Sequence, residues 1–221
     1  MSTYQHRWWG GESIDLPNAK AVCVGRNYAA HAKELNNPIP SQPLLFIKPS
    51  SAMVAMVPNF VVPDDLGECH IETEISLLVG RQLRNATAAD TEAAIIGVGL
   101  AYDLTLRDLQ GELKHNGHPW ERAKSFDGAL ALSEFVVRED CPPFNELSLS
   151  LNLNDRLQQV GSVAQMLWSP MDLLAEISRS FTLEPGDVVL TGTPAGVTAL
   201  HKGDQLAATL CSRWTANSEV L

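Results

Sequence analysis

Cysteine is scarce. There are four, Cys23, Cys69, Cys141 and Cys211, far apart in a chain of 221 residues. No CxxC pair or Cys/His spacing offers a zinc site, and scattered thiols fit a reducing compartment. Long apolar runs are absent too. The longest, Ala93 to Tyr102, contains two glycines and is too short to span a membrane. Met1 to Gly11 has no apolar segment of the kind a secretory signal needs, so the expected location is the cytoplasm. Basic residues are few: 16 Lys and Arg against 26 Asp and Glu give a net charge of −10. That balance argues against a nucleic-acid partner, whose phosphates require a basic patch. It leaves an anionic small molecule open, because a local field can oppose the net charge. No internal repeat, low-complexity segment or Walker A loop is present. With 45% hydrophobic and 19% charged residues the chain can bury a full core without disulfides.

What is present begins with His70 to Gly80. Read as a strand, it sets Ile71, Thr73, Ile75 and Leu77 on one face and His70, Glu72, Glu74 and Ser76 on the other. Glu72 and Glu74 then stand roughly 6–7 Å apart on one side. They either hold a hard divalent cation or line a solvated sheet face. Gly25 to Leu35 reads as a short helix with Asn27 as N-cap, stopped at Asn36-Asn37-Pro38. His31 and Glu34 share a face of that helix. A carboxylate beside an imidazole suits a general base, or is an incidental pair on an exposed helix.

Leu44 to Pro49 reads as a strand ending in Lys48, and residues 85–96 as a helix capped by Thr87. Ile95 to Ala101 is a buried-strand candidate that delivers Asp103 to the start of a helix, where it is a functional acid or a cap. Leu104 to His115 is amphipathic, with Leu106, Leu109 and Leu113 inward. Arg107 and Gln110 lie on a neighbouring face; Arg107 is suited to a substrate carboxylate or to a surface pair with Asp108 or Glu112. Lys124 lies in a compact loop, Pro119 to Gly128, as a fixed or a solvated cation. Leu147 to Leu153 alternates strictly, and Asn154-Asp155 is a hairpin turn returning through Arg156 to Val160. Ser169-Pro170-Met171-Asp172 opens a helix to about Phe181. Thr191 to Val197 is a small, hydroxyl-bearing pocket-lining loop after the strand Val188 to Leu190, and Gln205 to Leu210 is expected as the last strand. The fold class is α+β with mixed sheet: a lead-in over 1–20, then a single domain over 21–221.

Six of these segments form an ordered set: Gly25-Arg26-Asn27-Tyr28-x-x-His31-x-x-Glu34; Phe46-Ile47-Lys48-Pro49; Glu72-x-Glu74; Tyr102-Asp103-Leu104-Thr105-x-Arg107-Asp108-x-Gln110; Lys124-Ser125-Phe126-Asp127; and Leu190-Thr191-Gly192-Thr193-Pro194-x-Gly196-Val197. The set resembles the fumarylacetoacetate hydrolase family, in particular its short acylpyruvase-like branch, over roughly residues 20 to 210. The resemblance implies a mixed β-sheet roll with a few short helices, assembled as a homodimer. It implies Mg²⁺ or Mn²⁺ on Glu72, Glu74 and Asp103, and a His31/Glu34 dyad on a segment that closes over substrate. Lys124 would stabilise an oxyanion, and Arg26, Arg107, Gln110 and Thr193 would contact the substrate. The expected reaction is metal-dependent cleavage of a C–C bond in an acylpyruvate, such as fumarylpyruvate or acetylpyruvate, to pyruvate and a carboxylic acid. The alternatives are an oxaloacetate decarboxylase or tautomerase, or a dienoic diacid isomerase or decarboxylase, on the same scaffold. A non-catalytic module with a structural cation fits less well, because such a site needs no His/Glu dyad.

Overall fold

Two apolar strands, Thr73–Val79 and Ile95–Asp103, pair antiparallel at the centre of the largest sheet. The computed structural model describes residues 4–34 and 38–221. The large sheet runs Leu44–Lys48, Ala21–Gly25, Val188–Leu190, Thr73–Val79, Ile95–Asp103, Leu130–Leu132 and Met53–Ala55, and Val136–Val137 also pairs with Ile95–Asp103. The Ala21–Gly25 strand is parallel to Val188–Leu190, so residues far apart in the chain are neighbours here. A second sheet runs Arg156–Ser162, Ser148–Leu153, Gln205–Leu210, Trp214–Val220 and Asn59–Phe60. A small third sheet joins Thr198–Ala199, Cys69–Ile71 and Thr105–Leu106.

The first two sheets pack face to face. Leu149, Leu151, Leu206 and Leu210 share one apolar cluster with Ile75, Leu77, Leu100 and Tyr102. The other face of the large sheet presents Ala21, Cys23, Leu78, Leu130 and Leu190 to Ile14 and Phe135. Burial on both faces explains why every residue of Thr73–Val79 is buried, although its alternating pattern reads as a strand with one wet face. Each fully buried Leu or Ile contributes about 1.5–3 kcal/mol.

Local chemistry sets several elements as expected. Ser169 Oγ accepts a hydrogen bond from the Asp172 N–H at 3.2 Å, and the helix Pro170–Ser180 buries Leu173, Leu174 and Ile177. Asn154 and Asp155 both take positive φ, as a two-residue hairpin turn requires.

Elsewhere the structure corrects the pattern. Asn27 caps nothing. Its side chain donates to the Trp168 and Thr191 carbonyls and accepts from the Trp168 N–H, and the helix spans Ala29–Glu34. The stop expected at Asn36-Asn37 lies outside the described residues. The helix expected over residues 85–96 is only Ala88–Thr91, opened by a Thr87/Asp90 capping box and followed by a 3₁₀ turn, Glu92–Ala94, before the strand begins at Ile95. The helix expected from Leu104 begins at Arg107, because Thr105–Leu106 pairs with Cys69–Ile71 first. The loop around Lys124 contains a helical turn, Glu121–Lys124. Gln205–Leu210 is not the last strand; Trp214–Val220 follows, its alternation disguised by the small Ala216 and the polar Ser218 on the buried side. The N-terminal segment is tied in: Ile14 is buried, and His6 Nε2 lies 3.0 Å from the Gly186 carbonyl. Among the described residues, no helix is long and apolar enough to cross a membrane.

Candidate active site

The chain dips from one sheet to another at Glu72, between Cys69–Ile71 and Thr73–Val79. The Glu72 carbonyl accepts the Asp103 N–H at 2.9 Å, which brings the end of Ile95–Asp103 against it. Glu74 lies two residues on, within the buried strand. One oxygen from each of Glu72, Glu74 and Asp103 lies within 4.8 Å of the others, and all three side chains are buried. The solvated-face reading of Glu72 and Glu74 is therefore excluded.

Cations from three distant segments offset this charge. Lys124 Nζ donates to Glu72 Oε2 and Asp103 Oδ2, both at 2.8 Å, and to Thr105 Oγ1 at 2.7 Å. Arg107 Nη2 pairs with Glu72 Oε1, and its Nη1 donates to Gln110 Oε1 at 2.8 Å. Lys48, fully buried, donates to the carbonyls of Leu104, Lys124 and Ala129, and stands 2.9 Å from Asp103 Oδ1 in poor hydrogen-bonding alignment. Sequence reasoning left Lys48 out of the site. Its signal was a lysine closing an apolar strand just before a proline.

The three cations do not serve the acids equally. Burial pushes Glu72 up, but Lys124 and Arg107 outweigh it and hold the carboxyl well below the usual range. Burial would also lower Lys124, yet Asp103 and Glu72 keep its ammonium above the ordinary lysine value. Glu74 goes the other way: burial, then Asp103 and Glu72, raise it well above a normal carboxyl, and the Gly192 N–H that donates to Oε2 opposes this only in part. A buried carboxyl raised by two neighbouring acids, in an all-oxygen donor set, is what a hard divalent cation would relieve. The residues fit such an ion, and the donor set suits magnesium and manganese alike.

These groups open on a cleft. Arg26, His31, Glu72, Glu74, Arg107, Gln110, Lys124 and Thr193 line it; Asp103 stands behind Lys124 and Glu34 behind His31. His31, buried on Ala29–Glu34, has Nδ1 3.3 Å from Glu34 Oε2. Glu34 in turn accepts the Gly196 N–H at 3.0 and 3.2 Å on its two oxygens, which ties the histidine helix to the Thr191–Val197 loop. Gln159, which sequence reasoning missed, braces that loop by donating to Thr193 Oγ1 at 2.9 Å and to the Pro194 carbonyl at 3.0 Å. Phe46 and Trp120 complete an apolar wall, and the Lys124 ammonium stands 5.0 Å from the Phe46 ring centre.

The family model described as fumarylacetoacetate (FAA) hydrolase C-terminal matches residues 20–217. The chain belongs to the fumarylacetoacetate hydrolase family. It is 45% identical over 207 residues to oxaloacetate tautomerase YcgM of Escherichia coli (strain K12), covering 93% of this chain and 94% of that one. A crystal structure from Oleispira antarctica superposes with a TM-score of 0.94 at 48% identity, covering 99% of this chain and all of the other. Fumarylpyruvate hydrolase from Pseudomonas aeruginosa, solved with Mn²⁺ and pyruvate, gives a TM-score of 0.91 at 28% identity, covering all of this chain and 97% of that one. The resemblance read from the six motifs thus holds at the level of the family and its mixed α+β fold. The acylpyruvase-like branch is a narrower matter, since the tautomerase is markedly more similar than the hydrolase.

Proposed function

We propose that this enzyme interconverts the enol and keto forms of oxaloacetate or a closely similar 2-oxo dicarboxylate, in the presence of a divalent cation. The observation that carries the reading is the 45% identity to an oxaloacetate tautomerase along 94% of its length. The site chemistry agrees with it. A cation held by Glu72, Glu74 and Asp103 would draw electron density from a 2-oxo acid and acidify its C3 hydrogens.

The chain's own residues supply the proton traffic. Glu34 at Nδ1 orients His31 and leaves Nε2 to take a proton from C3. As that C–H bond breaks, its electron pair forms the C2–C3 double bond and charge moves to the 2-oxygen, beside the Lys124 ammonium. Return of that proton from His31 Nε2 to the 2-oxygen gives the enol and restores the neutral imidazole; the reverse transfer gives the ketone. Arg107 and Gln110 align the 1-carboxylate, and Thr193 closes the side braced by Gln159. The catalytic unit is taken as residues 21–221 with magnesium or manganese as cofactor, acting in the cytoplasm as a homodimer.

A second reading is C–C hydrolysis of an acylpyruvate. Its support is the fumarylpyruvate hydrolase likeness at 28% identity. It needs a positioned water and a distal carbonyl in addition to the same proton carriers.

The deciding experiment follows enol absorbance and pyruvate release in parallel, with Mn²⁺ and after EDTA. Faster enol–keto equilibration without loss of total oxaloacetate is the expected result. Acetylpyruvate or fumarylpyruvate cleavage outpacing that equilibration would favour hydrolysis and sink the first reading.

A further inference from the structure

The loop that carries Thr193 lies on the strand Arg156–Ser162, and three successive contacts join them. Gln158 Nε2 donates to the Gly196 carbonyl at 2.8 Å. A Cβ on Gly161 would lie 2.9 Å from the Pro194 ring, so strand and loop touch there. Gln159, buried, makes the third contact, and both ends of its amide are engaged. Oε1 accepts the Thr73 N–H at 3.1 Å; Nε2 donates to Thr193 Oγ1 at 2.9 Å and to the Pro194 carbonyl at 3.0 Å. A backbone N–H only donates and a carbonyl only accepts, so Thr73 and Pro194 fix which end of the amide is which. Thr193 Oγ1 therefore accepts from Gln159, and its own hydrogen is left to donate. The Pro194 carbonyl stands 3.4 Å from Oγ1, long for an O–H···O bond, and already receives Gln159. Thr193 lines the cleft, where an acceptor on a ligand would complete the bonding of its hydroxyl. Docking of the loop does not depend on this amide, because Gln158, Gly161 and the bond from Gly196 to Glu34 also hold it.

We propose that Gln159 is a positioning residue: by donating to Thr193 it sets that hydroxyl as a hydrogen-bond donor to an oxygen of the bound acid. This rests on the proposed function for one point, that the ligand in the cleft is an oxyanion. A donor aimed at an anionic oxygen makes a charge-assisted bond, stronger than one between neutral groups. Without the amide, the Pro194 carbonyl loses its partner and the Thr193 hydroxyl is free to turn to it instead. The ordinary role for a buried glutamine between strand and loop is to satisfy backbone groups. That role would act on stability, and any effect on ligand affinity would not depend on Thr193.

The probe is oxalate, whose adjacent carboxylates present acceptor oxygens as the carboxylate and 2-oxygen of a 2-oxo acid do. It is titrated calorimetrically into the Mn²⁺-loaded protein. Thr193→Val and Gln159→Met should each weaken oxalate about tenfold. The double variant should bind within about twofold of Thr193→Val alone, because valine has already removed the hydroxyl through which Gln159 acts. Thr193→Ser, which keeps the hydroxyl, should bind as wild type does. Gln159→Asn is still polar but one methylene too short to reach Thr73 and Thr193 together, and it serves if the methionine variant does not fold. Losses that add in the double variant, or either single variant binding as wild type does, would overturn the positioning role while leaving the 2-oxo acid site standing. Failure of the wild type to bind oxalate would overturn the positioning role and the functional reading beneath it.

Discussion

At the scale of single residues, Lys48 and Glu74 define the electrostatics of the site from opposite sides. Lys48 holds Asp103 and three carbonyls with no solvent contact. Lys48→Met leaves the Asp103 charge buried with one partner fewer, a change that typically costs about 3–5 kcal/mol. The expected outcome is a clear fall in melting temperature together with weaker Mn²⁺ binding, read by electron paramagnetic resonance. Glu74 is the contrary case. An acid whose folded pKa is raised binds its proton more tightly folded than unfolded, so the metal-free protein loses stability as pH rises from the ordinary carboxylate range toward the folded value. Glu74→Gln should therefore raise the metal-free melting temperature at neutral pH, with the gain vanishing near roughly pH 4. The same variant should lose the Mn²⁺-induced rise. A thermal melt series with and without metal reads both. None of this was legible at Glu72 and Glu74 alone, where alternation is equally consistent with a wet sheet face. The deciding charges come from positions 48, 107 and 124, and no local pattern shows which lysine meets which acid.

Among the elements, the six-residue helix Ala29–Glu34 is far too short to be stable by itself. His31 and Ala32 are buried under it, and Glu34 fastens it to Gly196. Glu34→Gln keeps an acceptor for the Gly196 N–H but removes the charge that orients and supports His31. It is expected to lower kcat about tenfold or more, near 1.4 kcal/mol of barrier, with little change in KM. Gly196 has φ of +102°, and a Cβ there would lie 2.2 Å from the Gln158 carbonyl oxygen. Gly196→Ala should displace the loop, lowering melting temperature and activity together, and hydrogen exchange over residues 29–34 should rise. Elements with complete local signals were readable in advance: the Ser169 cap with Pro170, and the Leu147–Leu153 alternation with its Asn-Asp turn. The elements misread were those whose side chains answer to distant partners, as Asn27 answers to Trp168 and Thr191, or whose buried positions carry small or polar residues, as Ala216 and Ser218 do in Trp214–Val220.

For the molecule as a whole, a net charge of −10 surrounds a cleft where Arg26, Arg107, Lys114 and Lys124 converge. Anion binding there is a local property, which composition could allow and could not announce. The buried acids among those cations also make stability depend on the metal. Mn²⁺ at a hundred times its dissociation constant should add about 2.7 kcal/mol, worth roughly 2–4 °C of melting temperature per kcal/mol in a chain of this size. EDTA should reverse it, and an unchanged melt in both conditions would count against a site formed by Glu72, Glu74 and Asp103. The parallel pairing of Ala21–Gly25 with Val188–Leu190 carries a consequence for how the protein is made. A nascent chain still short of Val188 already carries all three acids and all their lysines. The central strand Thr73–Val79 nevertheless lacks its neighbour on one side, and the Thr191 carbonyl that receives Asn27 has not been synthesised. Through most of translation the large sheet is thus two separate paired pieces, Ala21–Gly25 with Leu44–Lys48 and Thr73–Val79 with Ile95–Asp103, each carrying an open edge until Val188–Leu190 emerges to join them.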